Sequence, residues 1–485
     1  MPNKGIAGES LLCLRIETVC KGPVIVCPPD MDVIDAARLM EEHDVTAVVV
    51  GDDGPPLGVF SIRDLRRFMA DRGGAGPGRK LRDNMGNGPD TIGLKDYVFE
   101  AVLKMTRHNL FHLGVVGEEG NIVGIVNATE LLQLQSSAPL YLYQEIEQAK
   151  SIEQLRRLGQ RIVDLVRFAL TGQIRIESIV RLISGFNDAI TLRLIALLAS
   201  DEGIRLPAGA AYLVLGSEGR GEQTLRTDQD NAIVCADDLP PEQLCEVIRF
   251  ADRLVQALET IGVPRCPGNI MASSPQWRHS LTEWNKLVRQ WISAPTPEHV
   301  LNFGMLQDLR TLHGDHALGL RLRDQILATV QRSGTFFTNM ACHVVRFPSP
   351  FTTFGRIRVE SSGKHRGKVD LKKSGIFPIA AGATLLALEA GIIGGNTWDK
   401  LGQLRKLGVI SGHDLEIIEA AFCYLIQLRL QRQLQEQLAD REAANHVDPE
   451  TMTDKERERF RQALQGVSTF LWIFRDHYNL DYVSI

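Results

Sequence analysis

Between Ala211 and Ala236 the chain reads AYLVLGSEGRGEQTLRTDQDNAIVCA, and its two closest carboxylates, Asp228 and Asp230, are one residue apart. Successive side chains of a strand alternate faces, so a strand starting near Asp228 turns both acids to one side and Gln229 to the other. Two carboxylates in one small volume repel, and one tends to keep a proton unless divalent cations hold both ionised. Upstream, Tyr212 to Leu215 predicts a short apolar strand, broken by Gly216-Ser217 into a loop that carries Gly219 and Gly221. Backbone N–H groups of such a turn can cradle phosphate oxygens. Mg2+ bridging the acids to a triphosphate would activate an attacking oxygen and stabilise the leaving one. That is the chemistry of nucleotidyl transfer, and the plainer alternative is a capping loop followed by two solvated aspartates.

A strand, Gly-Ser, ten intervening residues and Asp-x-Asp before an apolar run resembles the signature of the DNA polymerase beta-like nucleotidyltransferases. The longer run GSEGRGEQTLRTDQDNAI resembles one bacterial family that joins CBS domains to a putative nucleotidyltransferase domain and its substrate-binding domain, and bacterial protein uridylyltransferases have a similar arrangement. The resemblance implies that Gly216, Ser217 and Arg220 hold the triphosphate of an NTP donor, ATP or UTP, and that Asp228 and Asp230 ligate Mg2+. It also implies a third catalytic acid, for which Asp308 in FGMLQDLRTLHGD is the best placed. Asp308 with Arg310 resembles an Asp-x-Arg element of related protein-modifying enzymes; a plain salt bridge or turn residue is the competing assignment. His313 and His316 have metal-like spacing but read as surface residues beside a glycine turn.

These residues need several domains around them, because 485 residues exceed one core. A formal charge of −5 gives no broad footprint for nucleic acid, so a protein or small-molecule acceptor fits better than a growing strand. No signal peptide opens the sequence and no charge-free run reaches spanning length, the nearest being Gly375 to Gly395. The expectation is a cytoplasmic protein without membrane partners. Eight scattered cysteines without a CxxC pair point to reduced thiols, and the even spacing of Cys13, Cys20 and Cys27 does not make a metal site.

From Lys21 to Ala70 the pattern is strand, helix, strand, strand, helix, and it returns roughly 65 residues later, GIVNATEL echoing GVFSIRDL. This internal repeat resembles a tandem CBS module over residues 18–135, with repeats at about 18–70 and 83–135. The resemblance implies an adenine nucleotide as its ligand and a homodimer through the pair. In nucleotide-binding CBS domains a Ser or Thr and an Asp three residues on contact the ligand. Ser61 and Asp64 match in the first repeat, and Asn127 and Glu130 match poorly in the second. A plain helix cap uses the same two residue types.

Residues 139–200 read as a helical connector, 201–330 as the nucleotidyltransferase domain and 331–485 as a helical substrate-binding domain. RCPGNIMASS follows a predicted helix from Pro241 to Ile261 and precedes a Trp-bearing helix. In GKHRGKVDLKKSGIFP, Lys372 and Lys373, with Asp370 orienting one of them, are candidate acceptor-binding residues, against a solvated hairpin. The expected fold class is multidomain α/β and α: CBS pair, helical connector, polymerase beta-like nucleotidyltransferase domain and C-terminal helical domain. The expected function is Mg-dependent transfer of a nucleoside monophosphate, regulated by the CBS pair. The alternative is a catalytically inactive nucleotide-sensing signalling protein.

Overall fold

The computed structural model describes residues 15–20, 24–43, 45–52, 57–70, 79–85, 90–108, 110–117, 121–128, 131, 139–171, 174–225, 227–347, 349–438 and 445–480. The chain divides into two compact units, Met1–Glu145 with Thr171–Ile174, and Ile146–Leu170 with Arg175–Ile485.

The first unit holds two similar lobes. Strands β1 (Val26–Cys27), β2 (Ala47–Val50) and β3 (Gly58–Ser61) form one sheet, and β4 (Thr91–Gly93), β5 (His112–Val116) and β6 (Ile122–Asn127) form the other. Each has a parallel pair followed by an antiparallel one. The parallel pair is joined through an amphipathic helix, Val33–Glu42 in one lobe and Val98–His108 in the other, as a parallel crossover requires. The repeat is therefore structural as well as sequential.

Its lobes do not follow the sequence boundaries. Ile16 lies in the core of the second lobe, with Val19 and Cys20 packed against it, and Leu81 lies in the core of the first, with Met85 beside it. The exchange is symmetric. Ile16 and Glu17 donate backbone hydrogen bonds to Asp96 and Leu94, while Leu81 and Arg82 donate to Met31 and Pro29. Cys20 and Cys27 consequently belong to different lobes; Cys13 lies outside the described residues.

The second unit is built on a four-stranded sheet in the order β10-β7-β8-β9, with β7 at Ala210–Val214, β8 at Asn231–Cys235, β9 at Arg278–Ser280 and β10 at Arg310–Gly314. β7 is central and fully buried, antiparallel to both neighbours. The helix Ile176–Asp201 packs on the helix Pro241–Thr260, on β10 and on the helix Gly412–Leu438. It is the one helix among the described residues long and apolar enough to cross a membrane by length and composition, yet its apolar side chains line this protein core. Gly375–Gly395, the stretch singled out in the sequence, contains instead the helix Phe377–Glu389. Apolar on every side, that helix is enclosed by the helices Gly334–Val344, Thr397–Lys406 and Asp454–His477. The basic segment before it divides in two: residues 361–367 form an exposed turn closed by backbone hydrogen bonds from Glu360 to Lys368 and from Gly367 to Glu360, whereas Val369–Asp370 pairs with His446–Val447 and Lys372–Ile376 forms a π-helical turn feeding the buried helix.

Candidate functional site

The acidic pair sits where β7 and β8 leave the sheet at the same end. β8 begins at Asn231, so Asp228 and Asp230 precede the strand rather than open it. The alternation of faces extends past the strand all the same, because Leu215 donates its N–H to the Asp230 carbonyl at 2.9 Å and prolongs the ladder. Gln229 points the other way, donating from Nε2 to the carbonyls of Val255 and Val263. On the site side, carboxylate oxygens of Asp228 and Asp230 and Sγ of Cys266 all lie within 4.8 Å of one another. The Cys-Pro-Gly run thus places its thiol against the acids.

Burial, then the neighbouring Asp228 charge, pushes Asp230 up to about 7; Cys266, Lys372 and Arg220 pull it back in part. Two half-buried carboxylates with one partial proton are a donor set suited to a hard dication, which would displace that proton. Cys266 is pushed up to about 11, first by burial and then by Asp230, and so stays a thiol and donates to the carboxylate.

Directly above lies the Gly-Ser loop. β7 ends, Leu215 is extended, and Gly216–Gly219 makes a single helical turn whose first N–H groups have no partner within the turn. Gly216 has φ +51°, and a Cβ there would stand 3.7 Å from Oδ2 of Asp230. The nearer obstacle to a Cβ is Met305, whose Cε would stand 2.8 Å away, and the positive φ itself favours glycine. Gly219 is glycine for lack of space: a Cβ would stand 2.0 Å from the carbonyl oxygen of Asp308.

The helix Ile176–Asp201 braces this loop from behind. Ser184 accepts from the Gln223 backbone, Asn187 donates to the Gln223 side chain, and Asp188 pairs with Arg310 at 2.9 Å. Arg310 also donates to the Glu218 carbonyl at 3.1 Å. The Glu218 carboxyl is pushed up to about 8 by burial and then by Asp188, against the pull of Arg310. Read from sequence, this helix was a connector with an apolar stripe. Asp188 is one of several polar residues along it, with Glu177, Arg181, Asn187 and Arg193, and nothing local marks it out.

Two expected site residues stand elsewhere. Asp308 lies in the loop before β10, and its carboxylate, 2% exposed, is taken on one oxygen by Lys400 at 2.5 Å and on the other by Arg220 at 2.6 Å. Burial alone would raise its pKa; Lys400 and Arg220 outweigh burial and lower it. It is no part of the group of donors that converges at Asp228, Asp230 and Cys266. Arg220 spends its remaining contacts on Glu222, at 2.9 Å, so its guanidinium is held internally rather than presented to a triphosphate.

The helical domain supplies cations in its place. Lys372 and Arg429 act electrostatically on Asp230 and Asp228 respectively. Burial lowers Arg429 to about 10, partly offset by Asp228 and Asp370, and its Nε donates to Asn445. Asp370 is a cap: one carboxylate oxygen accepts from the backbone N–H groups of Lys372 and Lys373 at 3.0 and 3.1 Å. Lys373 itself is 63% exposed, with a loose 3.6 Å contact to Asp370. His313 and His316 join no metal-capable group among the described residues.

In the first unit Ser61 and Asp64 are bound to each other, the Ser61 N–H and hydroxyl both donating to Asp64 at 2.9 and 2.6 Å. The pair closes the start of the helix Ile62–Ala70. Asn127 ends β6, and Glu130 lies outside the described residues.

Comparison with known proteins follows this division. Residues 160–298 match the family described as putative nucleotidyltransferase DUF294, residues 334–478 its putative nucleotidyltransferase substrate binding domain, and residues 16–71 and 85–137 the CBS domain. The chain belongs to the CBS-bearing DUF294 family. Among relatives of this DUF294 member, an inosine-5'-monophosphate dehydrogenase of Korarchaeum cryptofilum is 30% identical over 25% of this chain. The match spans 24% of that dehydrogenase, about a quarter of its length. An uncharacterised protein of Methanopyrus kandleri is 27% identical over 28% of this chain and 67% of its own. A CBS domain protein of Pyrobaculum aerophilum, solved in complex with AMP, is 26% identical over 27% of this chain and 99% of that one, with a TM-score of 0.24.

Proposed function

We propose that the second unit transfers a nucleoside monophosphate from an NTP to a protein or small-molecule hydroxyl. The observation that carries this reading is the convergence of Asp228 and Asp230 beneath the Gly216 backbone, inside a domain of a nucleotidyltransferase family. Bound Mg2+ would supply charge neutralisation and activation of the attacking oxygen. Asp228 and Asp230 would hold it, the first N–H groups of the Gly216–Gly219 turn would orient the phosphates, and Ser217 beside them adds a hydroxyl donor. Lys372 and Arg429 of the helical domain, whose charges act on Asp230 and Asp228, would offset the charge developing on the transferring phosphate.

This moves Lys372 from acceptor recognition to the transferring phosphate, and leaves the exposed Lys373 to meet the acceptor. The intact acidic pair favours an enzyme over a sensor that has lost turnover. For the CBS pair we propose an adenine nucleotide as regulatory ligand, with Ser61 and Asp64 as its ribose or phosphate contacts and a homodimer as the assembly.

The test is incubation of the full chain with Mg2+ and each α-labelled NTP, with and without cell extract, following label transfer and pyrophosphate release. Wild type should transfer from one preferred nucleotide. Asp228→Asn and Asp230→Asn, which keep shape and remove charge, should each lose on the order of a hundredfold or more. An active Asp230→Asn protein would make the acidic pair structural, and a wild type that binds nucleotide without transferring it would make the chain a sensor.

A further inference from the structure

Beside the acidic pair lies a second ionic centre that the transfer reaction does not use. It holds two anions, Asp308 and Glu222, and two cations, Arg220 and Lys400. Lys400 is 1% exposed, on the helix Thr397–Lys406 of the C-terminal helical domain. Its Nζ donates to Asp308 at 2.5 Å and to the Thr384 hydroxyl at 2.8 Å. Glu222 accepts from Arg220 on one carboxylate oxygen and from the backbone N–H of Thr397 on the other. Every charge has an opposite partner: three of the four stand in the 201–330 domain, and Lys400, together with the Thr397 N–H, reaches them from the helical domain.

Three buried charges and a mostly buried arginine are a poor way to gain stability, because desolvation takes back most of their attraction and an apolar core of equal volume does as well. What they fix is geometry. Asp308 touches the Gly-Ser loop twice, through its carbonyl packed on Gly219 and through its carboxylate on Arg220. Glu222 grips the same arginine from the far side. The loop cannot tilt away from Asp228 and Asp230 without parting a charge from its partner in a dry interior.

We propose that this cluster is a positioning device in which Lys400 of the helical domain, acting through Asp308 and Arg220, fixes the Gly-Ser loop over the acidic pair. The functional meaning rests on the nucleotidyltransferase reading of that loop; the mechanical claim stands without it. Lys400 and Asp308 are positioning residues, and the C-terminal domain is then a structural part of the donor site.

Hydrogen exchange on the full-length protein tests this without requiring turnover. In Lys400→Met, amides of the 216–222 segment should exchange at least tenfold faster while those of the CBS unit keep wild-type rates. The double variant Asp308→Asn, Lys400→Met restores charge balance without the link, and it also serves should the single variant fold poorly. Its loop should stay unprotected, with transfer kcat down at least tenfold well below its unfolding temperature. Wild-type protection in Lys400→Met, or its recovery in the double variant, would overturn the proposal. A wild type inactive in transfer would remove the reaction and leave the exchange result to decide the positioning.

Discussion

Among single residues, Glu218 makes the clearest titration prediction. Burial first, then Asp188, raises its carboxyl from the usual 4.5 to about 8, so the native state keeps a proton that the unfolded chain has released. The contribution of this carboxyl to stability is therefore fully present below about pH 4.5, falls as pH rises, and is lost above about 8, with a slope no steeper than about 1.4 kcal/mol per pH unit. Glu218→Gln should make that slope shallower, most of all between pH 7 and 8.5, the remainder coming from Asp230, read from urea midpoints at pH 5.5, 7 and 8.5 in metal-free buffer; an unchanged slope would place the titrating group elsewhere. The two adjacent lysines should separate in kinetics. Lys372→Ala loses charge that acts on Asp230 and should cost roughly tenfold to a hundredfold in transfer. Lys373→Ala, at an exposed position, should change only the KM for the acceptor. Equal effects would show that the turn presents both to one ligand.

At the scale of elements, the loop between β7 and β8 uses glycine for two different reasons. Gly219→Ala would force a Cβ into a carbonyl 2.0 Å away and should cost about 3 kcal/mol in thermal or urea unfolding, in the range of overpacked sites. Gly221 has φ +66° but open space around it, so Gly221→Ala should cost only about 1 kcal/mol. The reverse order would mean that the loop relaxes at Gly219. Sequence pattern reaches this far: Tyr212 to Leu215, the Gly-Ser break and the paired acids are local signals that locate both strands and the face shared by Asp228 and Asp230, although β8 starts at Asn231 rather than near Asp228. It does not reach partners distant in the chain. Asp308 and Arg220 carry the residue types of a catalytic acid and a phosphate clamp, and only Lys400 and Glu222, folded against them, show that both are committed elsewhere. Asp188 and Arg429 were hidden for the same reason, each within a helix whose apolar pattern announces only a core.

For the whole molecule, the two units carry separable expectations. If the CBS unit takes AMP, ADP or ATP, ligand at a hundred times its Kd should stabilise that unit by about 2.7 kcal/mol. The measurement is a calorimetric scan of the full chain with and without nucleotide. No displacement of either transition with any adenine nucleotide would remove that ligand class. In the same unit, Ile16 is seated in the lobe that begins at Thr91, and Leu81 in the lobe that begins at Val26. The repeat visible in the sequence is therefore not the repeat that folds. A fragment cut between the two sequence copies would strip each lobe of the segment its core borrows from the other, leaving two half-built cores with matching vacancies. Such halves should fill one another when mixed, so that a duplication in the gene is preserved in the protein as mutual dependence: neither copy can be lost, shuffled or expressed alone.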